Sequence, residues 1–377
     1  MAVLRKTGGL RFFSKEELTR VVGDNFCMSE RTDIKSLEFD ELETFVTEEL
    51  GEKKFRAGQI FSWLHEKKAR SFDEMTNLSK DLREKLAEKA ALTTLSVEEV
   101  QTSKIDGTKK YLFALPDGNF IESVLMSYKA GTSVCVSTQV GCAMGCSFCA
   151  STIGGKVRSL AASEILDQIY AIERDTGERV SHCVLMGIGE PLDNYSNVLS
   201  FLHLITDERG QNMSERNITL STSGLVPKIY DLAEEGLSIT LALSLHAPTQ
   251  EQREAIMPVA KTYEIHDCIA ACKYYFEKTG RRVSFEYALI DGVNDRDEDA
   301  AALSALLHGF PCHVNLIPVN PVVETGYRRP PREACRAFQK KLEKTGINVT
   351  IRRELGRDID GSCGQLRRKH TGKDILE

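Results

Sequence analysis

No apolar run in this chain approaches the roughly 18–20 residues that a membrane-spanning helix needs, so the sequence predicts no such span. The N-terminal stretch MAVLRKTGGLRFF has no continuous apolar region and no evident cleavage site, which argues against a secretory leader. Tryptophan is nearly absent, with Trp63 alone. An excess of positive charge is also missing: 49 Lys and Arg face 55 Asp and Glu, a net charge of −6, so overall charge does not mark a nucleic-acid binder. The cysteines do not suit a disulfide framework, because eleven is an odd number and the chain is long. A cytoplasmic protein with reduced thiols is expected. At 377 residues the chain is long enough for one large domain plus a smaller one.

Charge is unevenly spread. From residue 325 onward 14 Lys and Arg face 7 Asp and Glu, a basic stretch on an otherwise acidic chain. Such a stretch fits a polyanion footprint as well as it fits a solvated helix face with a loose tail.

Periodicity divides the chain. Residues 1–35 carry little pattern and read as an N-terminal extension, expected to be partly mobile. Over 36–98, "DELETFVTEEL", "GEKKFRAGQIFSWLHEKK" and "KDLREKLAEKAAL" space apolar residues by three and four, which predicts a small helical accessory domain. Its Lys53, Lys54, Arg56, Lys67, Lys68 and Arg70 suit RNA contact or plain solubility. Over 99–137, "KKYLFAL", "NFIESVLMS" and "TSVCVSTQ" are short β-type runs parted by turn residues, a β-extension. From 138 to 352 helical and strand patterns alternate about six times, with strands such as "SHCVLM", "NITLST", "SITLALSL", "VSFEYALI", "HVNLIPV" and "NVTIRR". The expected fold class is α/β, a partial (β/α)6 barrel of TIM type. Reactive residues in such barrels sit at the C-terminal ends of strands. Gly189, Glu190, Ser221, Ser244, His246 and Asn320 fall there. Residues 353–377 form a C-terminal segment.

Three cysteines lie within eight positions of "GCAMGCSFCAST": Cys142, Cys146 and Cys149, spaced C-x3-C-x2-C. A structural zinc site normally takes four protein ligands, and no second knuckle follows. An iron–sulfur cubane held by three thiolates keeps one iron open for a substrate. Three unliganded cysteines are the bland reading. Cys268 and Cys272, four apart on a predicted helix, read as one buried face; Cys27, Cys183, Cys312 and Cys335 are isolated and suggest no chemistry.

The C-x3-C-x2-C loop after a barrel strand resembles the radical S-adenosylmethionine (SAM) superfamily. The segments "STQVGCAMGCSFCAST", "LMGIGEPLDNY", "ITLSTSGLVPKI", "LALSLHAP", "RVSFEYALIDGVND", "VNLIPVNP" and "GRDIDGSCGQLR" are similar to the RlmN/Cfr family of RNA methyltransferases, over about 36–368. That resemblance implies a [4Fe-4S] cluster on Cys142, Cys146 and Cys149, and two molecules of SAM used per turnover. It implies SAM contacts from Gly189, Glu190, Ser221, Ser244, Leu245, His246 and Asn320. Cys363 matches the family's methyl-carrying cysteine, Cys135 its disulfide-forming partner, and Glu122 the proton acceptor. The implied reaction is methylation of adenine C2 in 23S rRNA, in the peptidyl-transferase region, and in tRNA, 3′ of the anticodon. The helical domain would bind RNA, and a flavodoxin- or ferredoxin-like partner would supply electrons to a monomeric enzyme. A Cfr-like C8 methyltransferase is the nearest alternative. An enzyme that makes a glycyl radical on a partner protein and a zinc-stabilised RNA-binding module are the others. Arg328, Arg329 and Arg332, after Asn320, suit phosphates near the mouth of the site.

Overall fold

A computed structural model describes residues 31–129, 131–320, 326–359, 364–367 and 370. The remaining residues, which include Cys27, Cys363 and most of the N-terminal extension, lie outside the described residues. Among those described, the main sheet has ten strands: β1 (Ser96–Thr102), β2 (Lys109–Ala114), β3 (Phe120–Tyr128), β4 (Gly131–Cys135), β5 (His182–Leu185), β6 (Ile218–Thr222), β7 (Thr240–Ser244), β8 (Ser284–Leu289), β9 (His313–Pro318) and β10 (Asn348–Ile351). Their spatial order follows the chain without interruption. From β4 to β10 every neighbouring pair is parallel, whereas β1 to β4 form an antiparallel meander.

Strictly sequential parallel strands have no switch point, so the crossover helices fall on one side and the sheet curls towards a barrel. The curl is visible in what the two ends of the parallel run share. Val124 and Met126 of β3 and Cys135 of β4 line the same cavity as Ile317 of β9 and Ile351 of β10. No strand pairing closes this ring among the described residues, and it is a partial barrel. The first parallel strand, β4, lies within the stretch read from sequence as β-extension. An apolar β-type run does not reveal the direction of its neighbour. The sequence patterns also missed β1, the helix Gln250–Ile256, and a small hairpin of Gln139–Gly141 with Lys156–Ser159.

The helices Phe39–Thr44, Phe55–Phe61 and Lys80–Lys89 form the N-terminal module, closed by pairing of Thr32–Asp33 with Ala90–Ala91. Ser79 caps the third helix, its hydroxyl accepting from Leu82 N–H at 3.3 Å. The module packs on the first barrel helix, Ala162–Thr176. This helix is buried over nearly its whole length, so each of its charges needs a partner. Lys35 Nζ meets Asp167 Oδ1 at 2.8 Å with both side chains wholly buried. Asp167 Oδ2 also accepts from Leu95 N–H at 2.7 Å and from Arg174 at 3.1 Å. Lys68 pairs with Glu173, and His65 Nδ1 lies 3.1 Å from Tyr170 Oη. No helix among the described residues is long and apolar enough to cross a membrane.

Removing one member of such a buried pair strands the other charge. Asp167→Ala is expected to lower unfolding free energy by about 3–5 kcal/mol in urea melts, with Lys35 left unpaired. A loss below about 1 kcal/mol contradicts a tightly docked module.

Candidate active site

The cysteine loop rises from the hairpin after β4. At its base Gly141 has φ +75° and lies so close to the other hairpin strand that a Cβ would sit 2.0 Å from Gly155 O. Cys142 N–H donates to Gly155 O at 3.2 Å and Cys149 N–H to Cys146 O at 3.1 Å. Ser147 N–H donates to Ile256 O at 2.9 Å, which fastens the loop to the end of the helix Gln250–Ile256. Burial pushes the Cys142 thiol up to about 12, and that of Cys146 up as well.

Cys142, Cys146 and Cys149 share the wall of a cavity of about 270 Å³. Among the described residues, no three His, Cys, Asp or Glu side chains are arranged to hold a single metal ion. A lone zinc draws its ligands to one centre, whereas thiolates of a cluster bind separate irons. Three thiols at C-x3-C-x2-C spacing around one cavity fit a cluster held by three thiolates.

The opposite wall comes from the strand ends. Six of the seven residues expected to hold SAM line the cavity: Gly189, Glu190, Ser221, Ser244, His246 and Asn320. Leu245 is the exception. Its side chain is fully buried in the core, and its N–H donates to Glu286 O at 3.0 Å. Gly189 has φ +113°, and a Cβ there would lie 2.7 Å from the Gln139 side chain, so only glycine fits. Glu190 is buried, and its oxygens accept from Leu192 N–H at 3.1 Å and Ser223 N–H at 2.7 Å. Burial raises its pKa above the usual carboxylate range, the condition under which a bound ammonium is most welcome. Ser221 and Ser244 hydroxyls lie 3.3 Å apart.

His246 adopts φ +59°, uncommon for a residue other than glycine, and backbone outliers cluster at functional sites. Its Nδ1 accepts from Ala288 N–H at 2.9 Å, and its ring meets Phe148 edge to face at 4.9 Å. Burial and the Arg253 charge hold its pKa down at about 3, so the imidazole is neutral. The sequence reading missed Glu286 and Arg352, which also line this cavity. Glu286 left a trace, as a carboxylate in the apolar run "VSFEYALI".

A second cavity, of about 690 Å³, adjoins the first; both are lined by Ile317, Asn320 and Arg352. Cys135, buried at the end of β4, is on its wall together with Arg329, Arg332, Arg336, Arg352, Arg353 and Arg357. Glu354 pairs with Arg329 at 2.8 Å and Arg357 at 2.6 Å. Arg328 does not line it; it is largely exposed and meets Asp291 at 3.5 Å.

Glu122 is placed differently from a residue open to substrate. It lines none of the cavities described here, and Lys110 Nζ meets its Oε2 at 2.8 Å with both side chains buried. Gly364 N–H donates to Oε2 at 2.7 Å and Arg367 N–H to Oε1. Gly364 also packs on the cysteine loop, where an added Cβ would lie 3.0 Å from Ser151 N. Glu122 and Ser151 thus hold the residue that follows Cys363. Gln365, one step further, lines the arginine-rich cavity.

Two family models match the chain: a ribosomal RNA large subunit methyltransferase N-terminal domain over residues 32–92, and the radical SAM superfamily over residues 136–303. A relative from Lachnospira eligens, named "Probable dual-specificity RNA methyltransferase RlmN", is 60% identical over 92% of this chain and 98% of its own. A Bacillus subtilis protein of the same name is 54% identical over 90% of this chain and 94% of its own. The crystal structure of a radical SAM methyltransferase from Sphaerobacter thermophilus superposes with a TM-score of 0.85 at 44% identity, over 89% of this chain and 98% of that one.

The neutral His246 has a consequence for acid stability. The unfolded chain protonates this histidine below its ordinary pKa of 6.5, whereas the folded chain resists until about 3. Between those values the unfolded state binds more protons, so stability is lost as pH falls. His65, buried and likewise held down at about 3, acts in the same sense. Urea melts from pH 6.5 to 4 are expected to show the decline, and His246→Asn, which tolerates positive φ, to flatten it by about 1.4 kcal/mol per pH unit. An unchanged slope in that variant contradicts a buried neutral imidazole.

Proposed function

The chain belongs to the RlmN family of radical SAM RNA methyltransferases, and from that membership we propose that it methylates adenine C2 in 23S rRNA and tRNA through a relay of two thiols, Cys363 and Cys135. When bound, the [4Fe-4S] cluster and SAM supply the methyl group and a hydrogen-abstracting 5′-deoxyadenosyl radical.

The observation that carries this reading is the junction of the two cavities. One is walled by the three cysteines and the strand-end polar residues. The other combines a buried thiol, Cys135, with six arginines. Among the described residues, Arg332, Arg336, Arg352 and Arg353 make no ion pair, which leaves them for phosphates. An adenine must leave its stack to reach such a site.

Within this frame Cys363, as a thiolate, takes a methyl from the first SAM. After loss of a hydrogen atom to the radical, the carbon on Cys363 bonds to adenine C2, and the radical adduct must give up one electron, for which the oxidised cluster, when bound, would be the acceptor. Once the C2 proton has gone, Cys135 as a thiolate attacks the Cys363 sulfur; the S–S bond forms as the S–C bond breaks, and the freed CH2 carbon takes up a proton to become the methyl group on the base. Glu122 is our candidate for accepting the C2 proton. Its carboxylate holds Lys110, Gly364 and Arg367 in this conformation, so the role requires those donors to let go. Until then it anchors the segment next to Cys363.

The test is the product. Reconstituted protein, SAM, a reductant and an rRNA fragment are expected to yield 2-methyladenosine by mass spectrometry of the digested RNA, and Cys363→Ala to yield none. An 8-methyl product overturns the position, and undiminished methylation by Cys363→Ala overturns the relay.

A further inference from the structure

Arg253 has the largest side chain among those fully buried. It lies on the helix Gln250–Ile256, which Thr249 caps by accepting from Gln252 N–H at 3.3 Å. One guanidinium nitrogen, Nη2, donates to Ser223 O at 2.5 Å. The other two, Nε and Nη1, have no hydrogen-bond partner among the described residues, and no carboxylate there pairs with the group. A buried cation in that state is costly, and a fold that keeps one needs an anion for it.

The surroundings indicate which anion. Ser147 N–H and hydroxyl both donate to Ile256 O, so the cysteine loop rests on the end of this same short helix. A Cβ on Gly145 would touch the ring of Pro258 at 3.3 Å, a second point of contact. On the far side Gly224 leaves room for the guanidinium; a Cβ there would lie 3.2 Å from Nη2 and 2.9 Å from Cys268 Sγ. Burial disfavours the charge on Arg253, and the groups that favour it are thiols: Cys268, Cys146 and Cys272. Of these only Cys146 belongs to the cluster-binding loop. Cys268 and Cys272 are buried in the core on one helix, outside that loop.

We propose that Arg253 is a positioning residue for the cluster, a fixed cation behind the Cys146 loop that offsets the negative charge of the thiolate-bound cluster and eases its one-electron reduction. Three thiolates make the bound cluster net negative, and the electron delivered by the reductant makes it more so. A nearby fixed positive charge in a poorly screened interior stabilises the reduced form more than the oxidised one. The two unpartnered nitrogens are then the mark of a charge whose partner arrives with the cofactor. The inference rests on cluster binding and not on which base is methylated.

The test uses full-length protein reconstituted without oxygen, in wild-type, Arg253→Met, Arg253→Lys and Cys268→Ser forms. Iron and sulfide are assayed first, and the cluster is then titrated with dithionite and followed by electron paramagnetic resonance. Arg253→Met is expected to show a roughly tenfold lower ratio of reduced to oxidised cluster at the wild-type midpoint, a shift of about 59 mV to more negative potential. Arg253→Lys, which keeps the charge, is expected to stay near wild type. The apo form of Arg253→Met is expected to melt above apo wild type, because an unpaired buried charge has gone, and to gain less from loading. An unchanged midpoint in a fully loaded Arg253→Met protein overturns the proposal. So does Arg253→Lys behaving like Arg253→Met, in potential or in loss of the cluster, or Cys268→Ser reproducing the shift. Loss of the cluster from the Met variant alone supports it.

Discussion

The carboxylate of Glu122 ties together two parts of the chain that lie far apart in sequence. It sits on β3, in the antiparallel extension, and accepts backbone hydrogen bonds from Gly364 and Arg367 near the C-terminus. Lys110, on the neighbouring strand β2, neutralises it inside the protein. A buried carboxylate with both a cation and backbone donors is a strong anchor. It acts with other ties between the same parts: Asp358 accepts from Ser103 Oγ at 2.6 Å and from Lys104 N–H at 2.7 Å, and Gly356 N–H donates to Asp106 at 2.9 Å. The antiparallel strands are thus more than an appendage to the barrel: they carry the anchor, and β4 carries Cys135.

The rest of the site depends on curvature. Seven parallel strands in unbroken chain order curl until β3 and β4 face β9 and β10 across one cavity. That curl brings the arginine-rich cavity next to the one walled by the three cysteines, with Arg352 lining both. Buried charges are treated in two ways. Lys35 with Asp167, and Lys110 with Glu122, are paired within the chain and hold segments in place. Arg253 has no such partner among the described residues, and the cysteine loop, for which cluster binding is proposed, rests on the end of its helix.

Much of this was legible in the sequence because it is written in local spacing. The C-x3-C-x2-C loop, the alternation of helix and strand, and polar residues at strand ends need only a short window to read, and six of the seven residues named for SAM contact line one cavity. What escaped depends on contacts across the fold. Leu245 sits between two cavity residues in "SLH", yet its side chain turns into the core. The left-handed backbone of His246 leaves no mark on residue type. In "QEQREAI" Arg253 looks like any exposed arginine of a polar helix, although it is wholly buried. Glu122 in "NFIESV" has the look of the solvent side of an alternating strand, and its partners, Lys110 on the neighbouring strand and the backbone of the C-terminal segment, appear only in the fold.

The central claim is that Cys363 and Cys135 act in turn on the same substrate. Cys135→Ala protein, reconstituted with its cluster and given SAM, reductant and RNA, tests it most directly. Denaturing electrophoresis followed by peptide mass spectrometry is expected to find RNA covalently attached at Cys363, because the thiol that would release it has been removed. Free methylated RNA at the wild-type rate, with no attachment to the protein, would contradict the account.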